Sequence, residues 1–113
     1  MSTKPSTADF ILDQLAALGN VRVYRMFGEY ALYFDEKVVG LICNDELYIK
    51  YTDPGKTFAE GRYTEGYAYE GAKPSMNMSD SIDDPEFLCT LVRMTADALP
   101  LPKPKKKHLN ITK

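Results

Sequence analysis

Between Val23 and Tyr51 the chain alternates apolar runs with short polar breaks, the pattern of one strand after another. Asp35-Glu36-Lys37 separates Tyr30–Phe34 from Val38–Cys43, and Asn44-Asp45-Glu46 separates that run from Leu47–Tyr51. Short polar turns between aromatic and β-branched runs predict hairpins, here three antiparallel strands in a meander. Leu47, Ile49 and Tyr51 alternate with Tyr48 and Lys50, so one face of their strand meets a core. Val38–Cys43 is apolar almost throughout and reads as a central strand covered on both sides.

The period changes at both ends. After a short polar arm at residues 1–5, Ser6 or Thr7 can cap a helix running to about Leu18, where Gly19-Asn20 stops it. Ile11, Leu15 and Leu18 fall on one face, with Phe10 and Leu12 at its margins, which predicts an amphipathic helix docked on the sheet. Asp84 is placed as a cap for a second helix, with Pro85 in its first position and Glu86 at its positive end. Phe87, Leu88, Leu91, Val92, Thr95, Ala98 and Leu99 then repeat at helical spacing up to Pro100. In between, Thr57–Glu60 reads as a helical turn, residues 61–71 as a short strand with alternating tyrosines, and Ser75–Met78 as another. The predicted architecture is α+β: an antiparallel β-meander sheet flanked by an N-terminal and a C-terminal helix.

Charge divides the chain. The net charge is −2, but Lys103, Lys105, Lys106, Lys107 and Lys113 follow Pro100 without an acid among them. Of 14 basic side chains these five leave nine against all 16 acids, so residues 1–99 carry −7. This predicts one folded domain over residues 1–99 and a disordered Pro/Lys-rich basic tail over residues 100–113. No apolar run has membrane-helix length and the N-terminus has no signal-peptide core, so a cytoplasmic location is expected and no membrane partner. Two cysteines, Cys43 and Cys89, are too few for a disulfide framework and read as buried reduced thiols.

Arg25-Met26-Phe27-Gly28, followed by Tyr30-Ala31-Leu32-Tyr33, Val39-Gly40-Leu41-Ile42, Leu47-Tyr48-Ile49-Lys50, Gly71-Ala72-Lys73-Pro74 and the final helix, resembles the N-terminal domain of the TfoX/Sxy family. The likeness covers about residues 8–99. It implies a small sheet-and-helix fold of the secretion-chaperone-like kind, in which homodimers are common. Regulators of natural competence give the family its name and promote transcription together with the cyclic-AMP receptor protein, so transcription machinery is an implied partner. Those regulators carry a second, helical domain; this chain is expected to be a stand-alone form of the first.

Candidate chemistry is sparse. The single histidine, His108, lies among the tail lysines with nothing to orient it as a general base. Glycines are scattered singly rather than gathered in a phosphate loop, and Asp80, Asp83 and Asp84 lack the pattern of a calcium loop and read as helix capping. No catalytic, cofactor-binding or metal-binding residue is therefore assigned, and no enzyme is expected.

The expected function is that of a small regulatory or adaptor domain binding another protein. Its candidate surface is Arg25, Phe27, Gly28, Lys50 and Lys73, the last two from the family pattern. Two readings compete for the opening motif. In one, Arg25 is an exposed contact and Met26 and Phe27 are apolar contacts. In the other, which we favour from sequence, Met26 and Phe27 enter the core, Gly28 takes a bulge or turn conformation, and Arg25 pairs with an acid such as Glu29 or Asp45. The alternative function is a weak, salt-sensitive grip on nucleic acid by Lys103, Lys105, Lys106 and Lys107. An enzyme or small-ligand binder ranks below both.

Overall fold

A computed structural model describes residues 3–100. Helix α1 (Pro5–Gln14) leads through a 3-10 turn at Ala16–Leu18 into strands β1 (Val21–Met26), β2 (Glu29–Phe34), β3 (Lys37–Cys43) and β4 (Glu46–Ile49). Helix α2 (Asp53–Phe58), strands β5 (Thr64–Tyr67) and β6 (Pro74–Asn77) and helix α3 (Pro85–Ala98) complete the described chain. The six strands form one antiparallel sheet in the order β1-β2-β3-β4-β6-β5. The expected α+β architecture is thus present, with one strand more than the sequence pattern predicts.

That extra strand, β1, arises from Val21-Arg22-Val23-Tyr24, whose alternation is as regular as any in the chain. Each hairpin from β1 to β4 closes with two residues at positive φ: Phe27 and Gly28 at 54° and 81°, Asp35 and Glu36 at 51° and 70°, Asn44 and Asp45 at 55° and 63°. Both central residues in the left-handed region are the mark of the turn whose twist matches the flanking strands. Lys37 and Glu46, assigned to turns by their polarity, are instead the first residues of β3 and β4.

Leu32 of β2, Ile42 of β3, Leu47 and Ile49 of β4 and Met76 of β6 form one sheet face, and Ala8, Ile11 and Leu15 of α1 with Leu88, Leu91 and Val92 of α3 pack on it. Each aliphatic side chain fully buried there contributes roughly 1.5–3 kcal/mol. Asp84 caps α3 as predicted, its Oδ1 accepting from the Phe87 N–H at 3.2 Å. Its Oδ2 accepts from Arg62 at 3.0 Å, and that bond together with the Phe87 one holds the carboxyl below its ordinary pKa.

The first helix differs from expectation. Lys4, not Ser6 or Thr7, occupies its cap position, and no side chain of its own closes it. Instead Asp45, in the β3–β4 turn, accepts from the Lys4 N–H at 2.9 Å and the Thr7 hydroxyl at 2.8 Å, and these bonds lower its pKa. The residues before the helix are no loose arm either: Thr3 is buried, and its hydroxyl donates to Glu29 at 2.6 Å.

β3 is central, but helices cover it on one face only. On the other face Leu41 stays half-exposed. Gly40 is a requirement of packing: a Cβ there would lie 2.1 Å from the Tyr48 carbonyl oxygen.

Candidate functional site

The helix-free face of the sheet follows from register. Met26 pairs with Glu29, Tyr24 with Ala31, Ala31 with Leu41 and Leu41 with Tyr48, so these side chains share the face turned away from α1 and α3. Arg22 stacks on the Tyr33 ring of the same face, 4.3 Å from its centroid. The connection after β5 comes back over this face. Ala68 and Tyr69 close one side of a groove of about 390 Å³, and Met26, Phe27, Leu41 and Cys43 line the rest. Glu29 is its one charged lining residue, and it is already engaged by the Thr3 hydroxyl and, at 3.2 Å, by the Asn44 N–H.

The groove lip overturns the favoured reading of the opening motif. Met26 is 42% exposed, and Phe27 is 99% exposed at the tip of the β1–β2 hairpin. Neither enters the core. A turn of two residues leaves no chain length to fold the Phe27 ring back onto the sheet, and its positive φ aims the side chain outward. Gly28 does take the turn conformation expected of it. Arg25 is exposed and pairs with neither Glu29 nor Asp45, because Thr3, Asn44, Lys4 and Thr7 already occupy those carboxylates. Among the described residues it forms no ion pair; the two that exist are Arg22–Glu36 and Arg62–Asp84.

The five predicted surface residues therefore fall into two groups. Arg25, Phe27 and Gly28 lie at the sheet end where the β1–β2 and β3–β4 turns meet, tied by the Thr3 N–H donating to the Gly28 carbonyl at 3.0 Å. Lys50, just past β4, and Lys73, just before β6, lie toward the opposite end, brought together because those strands pair through Ile49 and Met76. Both lysines are exposed. Partial burial of the Lys50 ammonium, and then the neighbouring Lys73 charge, hold the Lys50 pKa below its usual value. The tail lysines Lys103, Lys105, Lys106 and Lys107 lie outside the described residues.

Sequence reasoning missed the groove itself, because Tyr69 and Leu41 meet only through the return of the β5–β6 connection. It also missed Cys43 as a lining residue. That thiol is buried, and burial, then the Glu29 charge, push its pKa up to about 11. Cys89 is only half-buried and donates weakly to the Gln14 carbonyl at 3.6 Å. Among the described residues no group of three or more His, Cys, Asp or Glu is placed to hold a metal ion, and no helix is long and apolar enough to cross a membrane. What this site offers is shape and apolar surface: an aromatic knob and an apolar groove beside it.

A protein of Spirochaeta aurantia, described as an uncharacterized 12.7 kDa protein in the trpE 5′ region, is 46% identical over 106 residues, 94% of this chain and 91% of its own. The family model for the TfoX N-terminal domain matches residues 13–99, which span β1 to β6 and end one residue past α3. On that match the chain belongs to the TfoX N-terminal domain family.

Proposed function

We propose that this chain is a small, non-enzymatic regulatory or adaptor domain of the cytoplasm that acts by binding protein through the helix-free sheet face and the β1–β2 turn at its end, with Phe27 as its leading contact and Arg25 at the same sheet end. One observation carries the reading: Phe27 is 99% exposed and held at φ 54°. A left-handed backbone is disfavoured for a bulky side chain and an exposed ring gains nothing from folding, so folding alone does not account for this residue. Aromatic side chains are among the strongest anchors of protein interfaces, and arginine is enriched beside them. Family membership supports a regulatory role, with transcription as its setting.

Capture from nuclease-treated native lysate tests this, with the tagged natural chain, Phe27→Asn and a chain ending at Leu99 as baits. A protein held by the natural and shortened chains and lost with Phe27→Asn is the expected result. Equal capture by all three baits would move the contact away from this face. Nucleic acid recovered without nuclease, and only with the full tail, would favour the lysine-tail function instead.

A further inference from the structure

We infer that the groove on the helix-free face is a binding site for a small organic cation, an ammonium group carried on a short aromatic body. The inference goes beyond protein capture: it concerns the groove rather than the projecting Phe27 ring, and it gives the chain a small ligand as well as a protein partner. Small-molecule sites are usually concave, apolar and roughly 300–1,000 Å³, with a few polar groups that fix orientation. The groove, at about 390 Å³, lies within that range. Leu41 lies on the sheet beneath it, Met26 and Tyr69 stand on its two sides, and no described lysine, arginine or histidine lines it.

The carboxylate of Glu29 selects the charge of the ligand. Both bonds it accepts, from the Thr3 hydroxyl and the Asn44 N–H, end on Oε1, and Oε2 has no partner among the described residues. Those two bonds hold the carboxylate in place, so a ligand does not have to order it. A purely apolar ligand would cover Oε2 and leave it unpaired, a loss of about tenfold or more, and an anion would be repelled. An ammonium group donates to that oxygen in a charge-assisted bond, and the Tyr69 ring offers its face to the same cation. A metal ion is not served here, since no group of three or more described ligating side chains is gathered. The register sets the length of the ligand. Glu29 lies one residue on from the Tyr30–Ile42 pair, hence beside Cys43 and two residues along β3 from Leu41. Two residues of strand span about 7 Å, which places the charged head two or three carbons from a ring seated over Leu41.

Amide-detected NMR titration of the purified full chain at neutral pH tests this with three probes of nearly one shape: phenethylammonium, phenethyl alcohol and phenylpropanoate. The ammonium should bind saturably with a dissociation constant of about 0.1–1 mM, shifting the amides of Leu41, Cys43, Ala68 and Tyr69. The alcohol should bind at least about tenfold more weakly, and the carboxylate should not bind at the groove. Glu29→Gln keeps an oxygen for Thr3 and Asn44 but loses the charge, and should erase the preference for ammonium over alcohol. Tyr69→Ala, at a side chain 60% exposed, removes one wall without touching the core and should weaken the ammonium about threefold to tenfold. Circular dichroism melts establish that both variants fold; should Glu29→Gln fail to, the alcohol comparison and Tyr69→Ala decide. No saturable shift by about 10 mM ammonium, equal binding of alcohol and ammonium, or shifts that gather away from the groove would each overturn the proposal. So would a preference that survives Glu29→Gln or binding undiminished by Tyr69→Ala. None of these outcomes touches capture of a protein through Phe27, which the lysate experiment reads separately.

Discussion

Replacing an aromatic residue usually costs stability, yet Phe27→Asn should raise it in the isolated protomer. The ring is 99% exposed, so its removal surrenders almost no buried area. The backbone at φ 54° costs an L-residue about 1–2 kcal/mol, and asparagine adopts that conformation more readily because its short polar side chain bonds locally. The expected gain is about 0.5–1 kcal/mol, or roughly 2–6 °C in Tm for a domain near 100 residues. Thermal melts at about 1 µM read the protomer with mass-action effects of any binding kept small. In dilute solution Phe27→Asn should melt higher than the natural chain. A drop of more than ~2 °C in the dilute sample would show that the ring packs against its own protomer, and the argument from its exposure would fail.

Lys37 donates from Nζ to the Ala96 and Leu99 carbonyls at 2.6 and 2.9 Å, closing the C-terminal end of α3. Lys37→Met should therefore cost about 1–2 kcal/mol in denaturant titration. Gly40→Ala drives a methyl into the Tyr48 carbonyl and should destabilise by about 1–3 kcal/mol, with amide exchange accelerating along the β3–β4 pairing; an unchanged melting curve would contradict the close approach. Cys43, its pKa pushed up to about 11 by burial and the Glu29 charge, should alkylate slowly at pH 8. Because thiolate is the reactive form, its rate should climb tenfold per pH unit toward pH 10, where an ordinary thiol has already levelled off.

Much of this fold is legible in local pattern. The Asp84-Pro85-Glu86 start of α3 could be read residue by residue, since a cap, a proline and an acid act through their immediate neighbours. The polar breaks at Asp35-Glu36 and Asn44-Asp45 were legible for the same reason. Met26 and Phe27 were misread because hydrophobicity says what a side chain prefers, not whether the backbone lets it reach the core. The corrective signal was present in the sequence: Phe27-Gly28 lies between the alternating run Val21–Met26 and the run Glu29–Phe34, the spacing of a two-residue hairpin with glycine second. The cap of α1 was not legible at all, because Asp45 lies 41 residues from Lys4. Nor was the groove, whose walls are brought together by a connection of no regular structure.

The three tight turns have a consequence for how the molecule assembles. Strands β1 to β4 pair with their sequence neighbours, so their contacts close short loops and can form on the microsecond scale of hairpins. The covering layer is different. Helix α3 meets the sheet through bonds such as Lys37 to Ala96, 59 residues apart, and meets α1 through Cys89 to Gln14, 75 residues apart. Leu32, Ile42 and Ile49 therefore wait for the C-terminal helix before they are dry. A nascent chain halted before Pro85 presents a ready-made sheet with its greasy side open to solvent, and that interval is where the protein is most exposed to aggregation.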